Sequence, residues 1–228
     1  MNTWKARNDL IHFCSLMYQK DLISSTDGNS SIKVSEDRIL ITPSGLHKGF
    51  LKEDDLVVCD LQGKKVSGKN KPSSEINTHL SVYRQRPDVL AVVHAHPPTC
   101  IAFTVAGLEL ETEALPEVIL ALGKVPIVPY STPSSQDSGY AIQGIIENYD
   151  ALILSHHGTV TVGKTLFQAF DRLEKLEHAA RVLYLAHQLG GVKKLSKDEV
   201  LKLIKHGTNL GFLDKKTAQV TESDLRIQ

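Results

Sequence analysis

The sequence predicts an α/β fold in a single domain, with a mixed or antiparallel sheet covered by helices. Short apolar runs and helical segments are interleaved, but they lack the strict alternation of strand and helix that a doubly wound sheet requires. A chain of 228 residues, 41% hydrophobic and 23% charged, suits one globular domain. No internal repeat or low-complexity linker divides it. We therefore expect a domain over residues 1–213 and a polar C-terminal tail over 214–228.

The first half of the chain predicts two helices and three strands. Apolar side chains recur between residues 4 and 20 at the spacing of an amphipathic helix. The runs SIKV, RILI and LVVCD are strand-like and are separated by turn-forming residues. The segment SSEINTHLSVYRQ predicts a helix that is capped by Ser73 or Ser74.

The second half predicts a buried strand, two further apolar runs and two helices. The strand is DVLAVVHAH, and the apolar runs are KVPIVPY and ALILSHHGTVTVG. Apolar residues recur at helical period from Thr165 to about Gln188, and KDEVLKLIKH predicts another helix. The polar stretch that ends the chain is expected to be a mobile arm.

Charge and cysteine content narrow the classes of partner. Lysine plus arginine equals aspartate plus glutamate at 26 each, so neither nucleic acid nor an anionic membrane is indicated. The three cysteines form no C-x-x-C pair, which argues against a disulfide framework and a cysteine zinc site. The N-terminus lacks the apolar core of a signal peptide, and no run is long enough to cross a bilayer. We expect a cytoplasmic protein with a small-molecule partner.

Two histidines, His94 and His96, follow the apolar run VLAVV. Successive side chains of a strand point to opposite faces, so both imidazoles share one face and Ala95 lies on the other. A single histidine where a strand meets a loop is usually just a polar residue. Two on one face are better explained by a bound cation.

Further ligands are available elsewhere in the sequence. His156 and His157 end another apolar strand and precede a glycine that allows close backbone approach. Alternation lets only one of them face the first pair, and the residues alone do not decide which. Glu75 lies in the first turn of a predicted helix, where the dipole favours a carboxylate. Such a set suits Zn²⁺, or another divalent cation such as Mn²⁺ or Co²⁺, with a position left for substrate.

Three short segments, DGNSS, TPSG and PSSE, combine small residues, hydroxyls and free backbone N–H groups. Each alone is typical of a turn. The third opens a helix, whose N-terminus attracts anions. Together with a cation site they indicate a phosphorylated small molecule. Patterns for a serine nucleophile, a dinucleotide or a P-loop do not occur in the sequence, and the remaining histidines are expected to be surface or packed helix residues.

Five segments resemble, in order and spacing, the class II aldolase/adducin-type family, and within it the fuculose-1-phosphate aldolases. They are TDGNSSIKV, ILITPSGL, KPSSEINTHLSVYRQRPDVLAVVHAHPPTC, VPIVPYSTP and LILSHHGTVTVG, within about residues 5–212. The resemblance implies a central mixed, mainly antiparallel sheet flanked by helices, and a homotetramer with active sites at subunit interfaces. It also implies a zinc-dependent, reversible cleavage of a ketose 1-phosphate to dihydroxyacetone phosphate and an aldehyde.

The resemblance also implies roles for individual residues. The family's metal ligands fall on His94, His96 and His157, and its catalytic glutamate, which also binds the metal, falls on Glu75. Its phosphate contacts fall on six small or polar residues: Gly28, Asn29, Ser44, Gly45, Ser73 and Ser74.

Three positions depart from the fuculose enzymes, all at the aldehyde end of the substrate. Glu117, Pro133 and His206 stand where those enzymes have aromatic residues. The resemblance therefore implies the phosphate end of the substrate more firmly than fuculose itself. Glu117, supplied to a neighbouring subunit, is expected to transfer the proton that a tyrosine transfers in the fuculose enzymes.

Several alternatives remain open at this point. In methylthioribulose-1-phosphate dehydratases, a glutamate in the region of Glu117 also takes part in the reaction, so a dehydratase remains an alternative. Pentulose-phosphate 4-epimerases typically have aspartate at the position of Glu75, so the glutamate here favours the aldolase. An adducin-like scaffold would lack the metal residues. A cupin would need a glutamate four or five residues after the H-x-H pair, where this chain has Cys100 and Ile101.

Overall fold

Eight strands form one sheet in this computed structural model, which describes residues 3–213 and 215–227. The strands lie in the order β4-β3-β2-β1-β5-β8-β7-β6, and every neighbouring pair is antiparallel except β6 and β7. Their bounds are β1 Asn29–Lys33, β2 Arg38–Ile41, β3 Val57–Asp60, β4 Lys65–Ser67, β5 Ala91–Ala95, β6 Ile127–Val128, β7 Ala151–Leu154 and β8 Gly158–Gly163. The predicted fold class, with a mixed and mainly antiparallel sheet, is confirmed.

Helices cover both faces of this sheet. Their bounds are α1 Thr3–Gln19, α2 Ile76–Gln85, α3 Pro98–Val105, α4 Pro116–Leu122, α5 Gln136–Ala141, α6 Leu166–Gln188, α7 Lys197–Asn209 and α8 Lys215–Ile227. The sequence predicted α1, α2, α6 and α7 to within a few residues. It missed α3, α4 and α5, which have only eight, seven and six residues and are too short to show a helical period.

Strand alternation divides the core between the two faces. On β5, Ala91, Val93 and Ala95 pack with α1 and the first part of α6. Val92, on the opposite face, packs with side chains of α2. His94 has the same parity as Val92, so its ring projects toward α2, the helix that begins beside Glu75.

The segment ALILSHHGTVTVG forms two strands where the sequence indicated one apolar strand. A tight turn joins β7 to β8, closed by the His157 N–H donating to the Leu154 carbonyl at 3.1 Å. His156 takes the left-handed conformation with φ of 59°. Both strands are buried. The three polar residues between them, Ser155, His156 and His157, form the turn.

The C-terminal stretch differs from the polar, mobile arm expected over 214–228. Residues 215–227 form helix α8, which buries Thr217, Ala218 and Thr221. Ala218 packs with Ile204 of α7 and Ile119 of α4. Residues 214 and 228 lie outside the described chain. Among the described residues, no helix combines the length and apolar character that crossing a membrane requires.

Candidate metal and phosphate site

Four side chains that the sequence singled out converge at one end of the central strands. One ligand atom from each of Glu75, His94, His96 and His157 lies within 4.8 Å of the others. Glu75 immediately precedes α2, His94 is on β5, His96 follows that strand, and His157 ends the turn before β8. The structure therefore brings together all four expected ligands.

Two glycines allow these segments to approach closely. A Cβ at Gly158 would lie 2.3 Å from the Ala95 carbonyl oxygen, so any side chain there would push β8 away from β5. A Cβ at Gly28 would lie 2.6 Å from Ile23, and its φ of 72° also favours glycine. The close approach anticipated after His157 is confirmed at Gly158.

The orientation of His94 fits a bound cation. Its Nδ1 lies 2.9 Å from the Thr159 carbonyl oxygen, so Nδ1 carries the hydrogen. Its Nε2 lies 3.0 Å from Glu75 Oε2 and 3.0 Å from His96 Nε2. Electron pairs facing each other at these distances repel, unless a positive charge lies on the ring or between the atoms. A proton can satisfy only one such contact, whereas a divalent cation can satisfy all of them.

The remaining ligands have the protonation states that metal binding needs. Burial lowers the pKa of His96 to about 3 and that of His157 to about 4, and the neighbouring imidazoles add to both shifts. Burial raises the pKa of Glu75, but the hydrogen bond and charge of His94, the charge of His157 and the hydrogen bond from Asn29 outweigh it and hold the pKa well below its usual range. Neutral imidazoles and an ionised carboxylate are the forms that bind metals.

The structure separates the two adjacent histidines that the sequence left unresolved. His157 Nε2 lies 3.3 Å from Glu75 Oε1, inside the cluster. The His156 side chain is exposed, and its backbone N–H donates to Thr104 Oγ1 at 3.0 Å. The turn therefore directs only His157 toward the other ligands.

A cavity of about 360 Å³ adjoins the cluster and gathers the predicted phosphate segments. Glu75, His96 and His157 form one end of it. Pro133, where the resemblance implies an aromatic residue, also lines it. The six residues expected to bind phosphate all lie on its wall: Gly28, Asn29, Ser44, Gly45, Ser73 and Ser74.

Lys48 also lines this cavity, and the sequence reasoning overlooked it. Its side chain is 2% exposed, and its ammonium donates to the carbonyls of Thr26 at 2.7 Å and Leu46 at 2.8 Å. Burial lowers the pKa of Lys48, while the charge of Asp27 opposes that shift. The only sequence signal was its position three residues after Gly45, the last residue of the segment TPSG.

Helix α2 is capped differently from the sequence prediction. Its N-cap residue is Glu75, which the sequence prediction had placed in the first turn after a serine cap. The Glu75 side chain makes no cap hydrogen bond. Ser73 Oγ accepts from the Glu75 N–H at 3.2 Å. The carboxylate is thus left to the cluster, while Ser73 and Ser74 stay on the cavity wall.

Glu117 lies away from this cavity. It is an exposed residue of α4 and lines a separate groove of about 470 Å³ with Asp171, Glu174, Lys175 and His178 of α6. Within the described residues, the walls of this groove and of the cavity share no member. The structure therefore does not bring Glu117 to the ligands of its own chain.

Known proteins share both the sequence pattern and the fold. The family model for the class II aldolase and adducin N-terminal domain matches residues 8–184. An L-fuculose phosphate aldolase from Methanococcus vannielii is 38% identical over 177 residues, 78% of this chain and 94% of that protein. A 3-oxo-tetronate 4-phosphate decarboxylase from Pectobacterium atrosepticum is 32% identical over 205 residues, 87% of this chain and 92% of that protein.

A solved structure extends the likeness to three dimensions. An L-fuculose 1-phosphate aldolase superposes with a TM-score of 0.82 at 28% identity, covering 89% of this chain and 95% of the other. The matched family domain contains all four cluster residues, from Glu75 to His157. The chain belongs to the class II aldolase and adducin family.

Proposed function

We propose that the protein is a metal-dependent aldolase that reversibly cleaves a ketose 1-phosphate, of the fuculose 1-phosphate type, to dihydroxyacetone phosphate and an aldehyde. The observation that carries this proposal is the convergence of Glu75, His94, His96 and His157 beside the cavity. Zn²⁺, or another divalent cation such as Mn²⁺ or Co²⁺, would be held by these four side chains. A bound cation supplies a Lewis acid that draws electrons from the substrate carbonyl.

The phosphate end of the substrate would lie in the glycine- and serine-lined cavity. Backbone N–H groups of turns and hydroxyl groups are suitable donors to phosphate oxygens. Lys48 supports this role because its ammonium is within hydrogen-bond reach of the carbonyls of both Thr26 and Leu46, which flank Gly28 and Ser44 in sequence. A held phosphate fixes the distance from the reacting carbons to Glu75.

Glu75 would move the proton of the reaction. Cleavage breaks the bond between C3 and C4, and its electron pair remains on the dihydroxyacetone phosphate half as an enediolate. The C4 hydroxyl loses its proton as the aldehyde forms, and a proton is added at C3. Glu75 is 7% exposed and borders the cavity, which supports a role in exchanging the proton at C3.

Glu117 would act on a second copy of the chain. Its distance from its own cluster supports a homotetramer in which each Glu117 reaches a neighbouring active site and takes the proton of the C4 hydroxyl. The sugar phosphate would then be bound between subunits.

The second candidate is a decarboxylase, because a relative at 32% identity acts on 3-oxo-tetronate 4-phosphate. Both reactions leave an electron pair on the carbon beside a carbonyl, so the same metal and phosphate residues would serve either. The two differ in the group that leaves: an aldehyde in one case and carbon dioxide in the other.

The decisive experiment is an assay of the metal-loaded protein with dihydroxyacetone phosphate and a panel of aldehydes. We expect carbon–carbon bond formation with at least one aldehyde and exchange of the C3 proton with solvent. Glu75→Gln should fold and bind metal but exchange this proton about 10² to 10⁴-fold more slowly. Release of carbon dioxide from a 3-oxo acid phosphate, without any aldol product, would establish the decarboxylase instead.

A further inference from the structure

A buried chain of hydrogen bonds leads from Tyr83 to Glu75. Tyr83 Oη lies 2.8 Å from Ser31 Oγ, which lies 2.7 Å from His79 Nδ1. His79 Nε2 lies 2.5 Å from Asn29 Oδ1, and Asn29 Nδ2 lies 2.9 Å from Glu75 Oε2. All five residues are at most 7% exposed. The hydrogen bonds alternate between side chains of α2 and β1, and the last one ends on the Glu75 carboxylate of the metal cluster.

The direction of every hydrogen bond follows from Glu75. An ionised carboxylate only accepts, so Asn29 presents its NH₂ group to Glu75 and its carbonyl oxygen to His79. That oxygen also only accepts, so His79 carries its hydrogen on Nε2. Burial lowers the pKa of His79 to about 3, which leaves Nδ1 without a hydrogen. Ser31 therefore donates to Nδ1 and accepts from Tyr83.

This directionality gives His79 a specific task. A carboxamide can rotate by 180° and exchange its oxygen and nitrogen at little cost, unless its partners distinguish them. In the other rotamer the Asn29 NH₂ group would face the His79 N–H, and neither group can accept a hydrogen bond. The His79 N–H therefore excludes that rotamer. If the N–H were removed, the Asn29 oxygen could face the Glu75 carboxylate, and the two oxygens would repel each other.

We propose that His79 is a positioning residue, which acts through Asn29 to hold the Glu75 carboxylate where it exchanges the substrate proton. The inference rests on the proposed function. His79 lines neither the cavity nor the cluster, and of the residues that do, it acts on Asn29 and Glu75. Three histidine ligands and five other proposed phosphate-binding residues stay in place, so turnover should change more than the binding of metal or phosphate.

The test compares two substitutions of His79 in the full-length protein. His79→Leu removes the N–H, whereas His79→Gln retains an amide N–H that can reach Asn29. We expect His79→Leu to bind about one metal per chain and to lower kcat for C3 proton exchange by about 10- to 100-fold, with a smaller change in KM for dihydroxyacetone phosphate. His79→Gln should recover most of that loss.

Ser81→Ala is the matched control on the same helix. Its hydroxyl is buried and donates to the Gly139 carbonyl at 2.8 Å, outside the chain that ends at Glu75. It should leave proton exchange unchanged. An unaltered kcat in His79→Leu would overturn the proposal. It would also be overturned if both His79 variants lost metal, raised KM and lowered kcat to the same extent.

If His79→Leu does not fold, an NMR measurement can test the hydrogen-bond chain from Tyr83 to Glu75. In zinc-loaded parent protein labelled with ¹⁵N-histidine, His79, assigned by its loss in His79→Gln, should show the neutral Nε2–H tautomer. That signal should not titrate between pH 5 and pH 8. A protonated ring or an Nδ1–H tautomer would overturn the proposal. A parent that catalyses no exchange would instead refute the proposed function, while the tautomer measurement still tests the hydrogen-bond chain.

Discussion

The two ends of the proposed substrate site are built differently. At the metal and phosphate end, the metal ligands and Asn29 are buried or partly buried and converge within one chain, and the exposed Ser44, Gly45 and Ser74 complete the cavity wall. At the aldehyde end, the proposed proton-transfer group, Glu117, is exposed on a short helix and faces a separate groove.

Under the proposed function, this difference would separate the reaction chemistry from the choice of substrate. Changing a residue at the buried end disturbs strand packing and the ligands together. Changing an exposed residue such as Glu117 leaves the core intact. With such an arrangement, the members of a family can keep the same carbanion-stabilising metal site and differ in the leaving group of the substrate. The predictions below test whether the two ends are independent in this sense.

The largest effect is expected at the buried end. His94→Ala should reduce the metal content from about one ion per chain to near zero and abolish turnover, because His94 lies 1% exposed between the other ligands. Metal analysis after dialysis measures the loss. His156→Asn is the control, since His156 is exposed and asparagine tolerates its left-handed conformation. Equal metal content in both variants would refute the ligand assignment.

At the open end, Glu117→Gln should slow aldehyde release by about 10² to 10⁴-fold, as loss of a general acid–base group does. It should leave C3 proton exchange on dihydroxyacetone phosphate unchanged. Parallel assays of cleavage and exchange measure this separation. Exchange that falls in step with cleavage would mean that the two ends are not independent.

A mixing experiment tests whether Glu117 reaches a neighbouring subunit. Glu75→Gln and Glu117→Gln proteins should each be nearly inactive in cleavage, but subunits unfolded and refolded together should regain activity. The reason is that some interfaces would then combine an intact Glu75 with an intact Glu117. No regain in a mixture shown to contain mixed oligomers would show that Glu117 does not act across a subunit interface.

A smaller effect is expected from Lys48→Met, which removes an ammonium bonded to two loop carbonyls. The KM for dihydroxyacetone phosphate should rise about tenfold, which corresponds to about 1.4 kcal/mol of binding free energy. Metal content should not change. Lys52→Met is the control, because Lys52 is exposed. A parent-like KM in Lys48→Met would remove Lys48 from the phosphate end.

A separate effect concerns stability and pH instead of catalysis. His79 binds a proton in the unfolded chain below a pKa of about 6.5 but in the folded chain only below about 3. Its contribution to stability is therefore complete above pH 6.5 and is lost as the pH falls toward 3, by about 1.4 kcal/mol per pH unit. His94 opposes this protonation electrostatically and Glu75 favours it.

Denaturant unfolding in chelator, from pH 6.5 down to pH 4.5, measures that slope. The free energy of unfolding of the parent should fall more steeply than that of His79→Leu, which lacks the titrating group. The difference between the two slopes isolates His79 from the other histidines. Parallel slopes would show that His79 titrates alike in both states.

Much of the buried end could be predicted because strand alternation is a local rule. The spacing of His94 and His96 is enough to place both rings on one face of a strand, and the turn-forming segments indicated the phosphate cavity. The choice between His156 and His157 could not be made from alternation. It depends on a tight turn between two apolar strands, which the sequence pattern showed as one.

Other features depend on contacts between residues distant in the chain. Lys48 enters the cavity only because the segments that contain Thr26 and Leu46 fold against each other. His79 was expected to be a surface or packed helix residue, and it is packed in α2. Its link to Glu75 was missed because it passes through Asn29, 50 residues away in sequence from His79. The C-terminal helix was missed because a polar sequence with few apolar side chains resembles a tail.

The central claim is that one divalent cation is held by Glu75, His94, His96 and His157. Anomalous diffraction at the zinc absorption edge, from crystals grown with zinc and without phosphate or chelator, tests it most directly. We predict a single strong peak per chain, about 2.0 to 2.2 Å from one nitrogen of each imidazole and from a Glu75 oxygen. A peak elsewhere, or three rings turned away from an empty centre, would contradict the account.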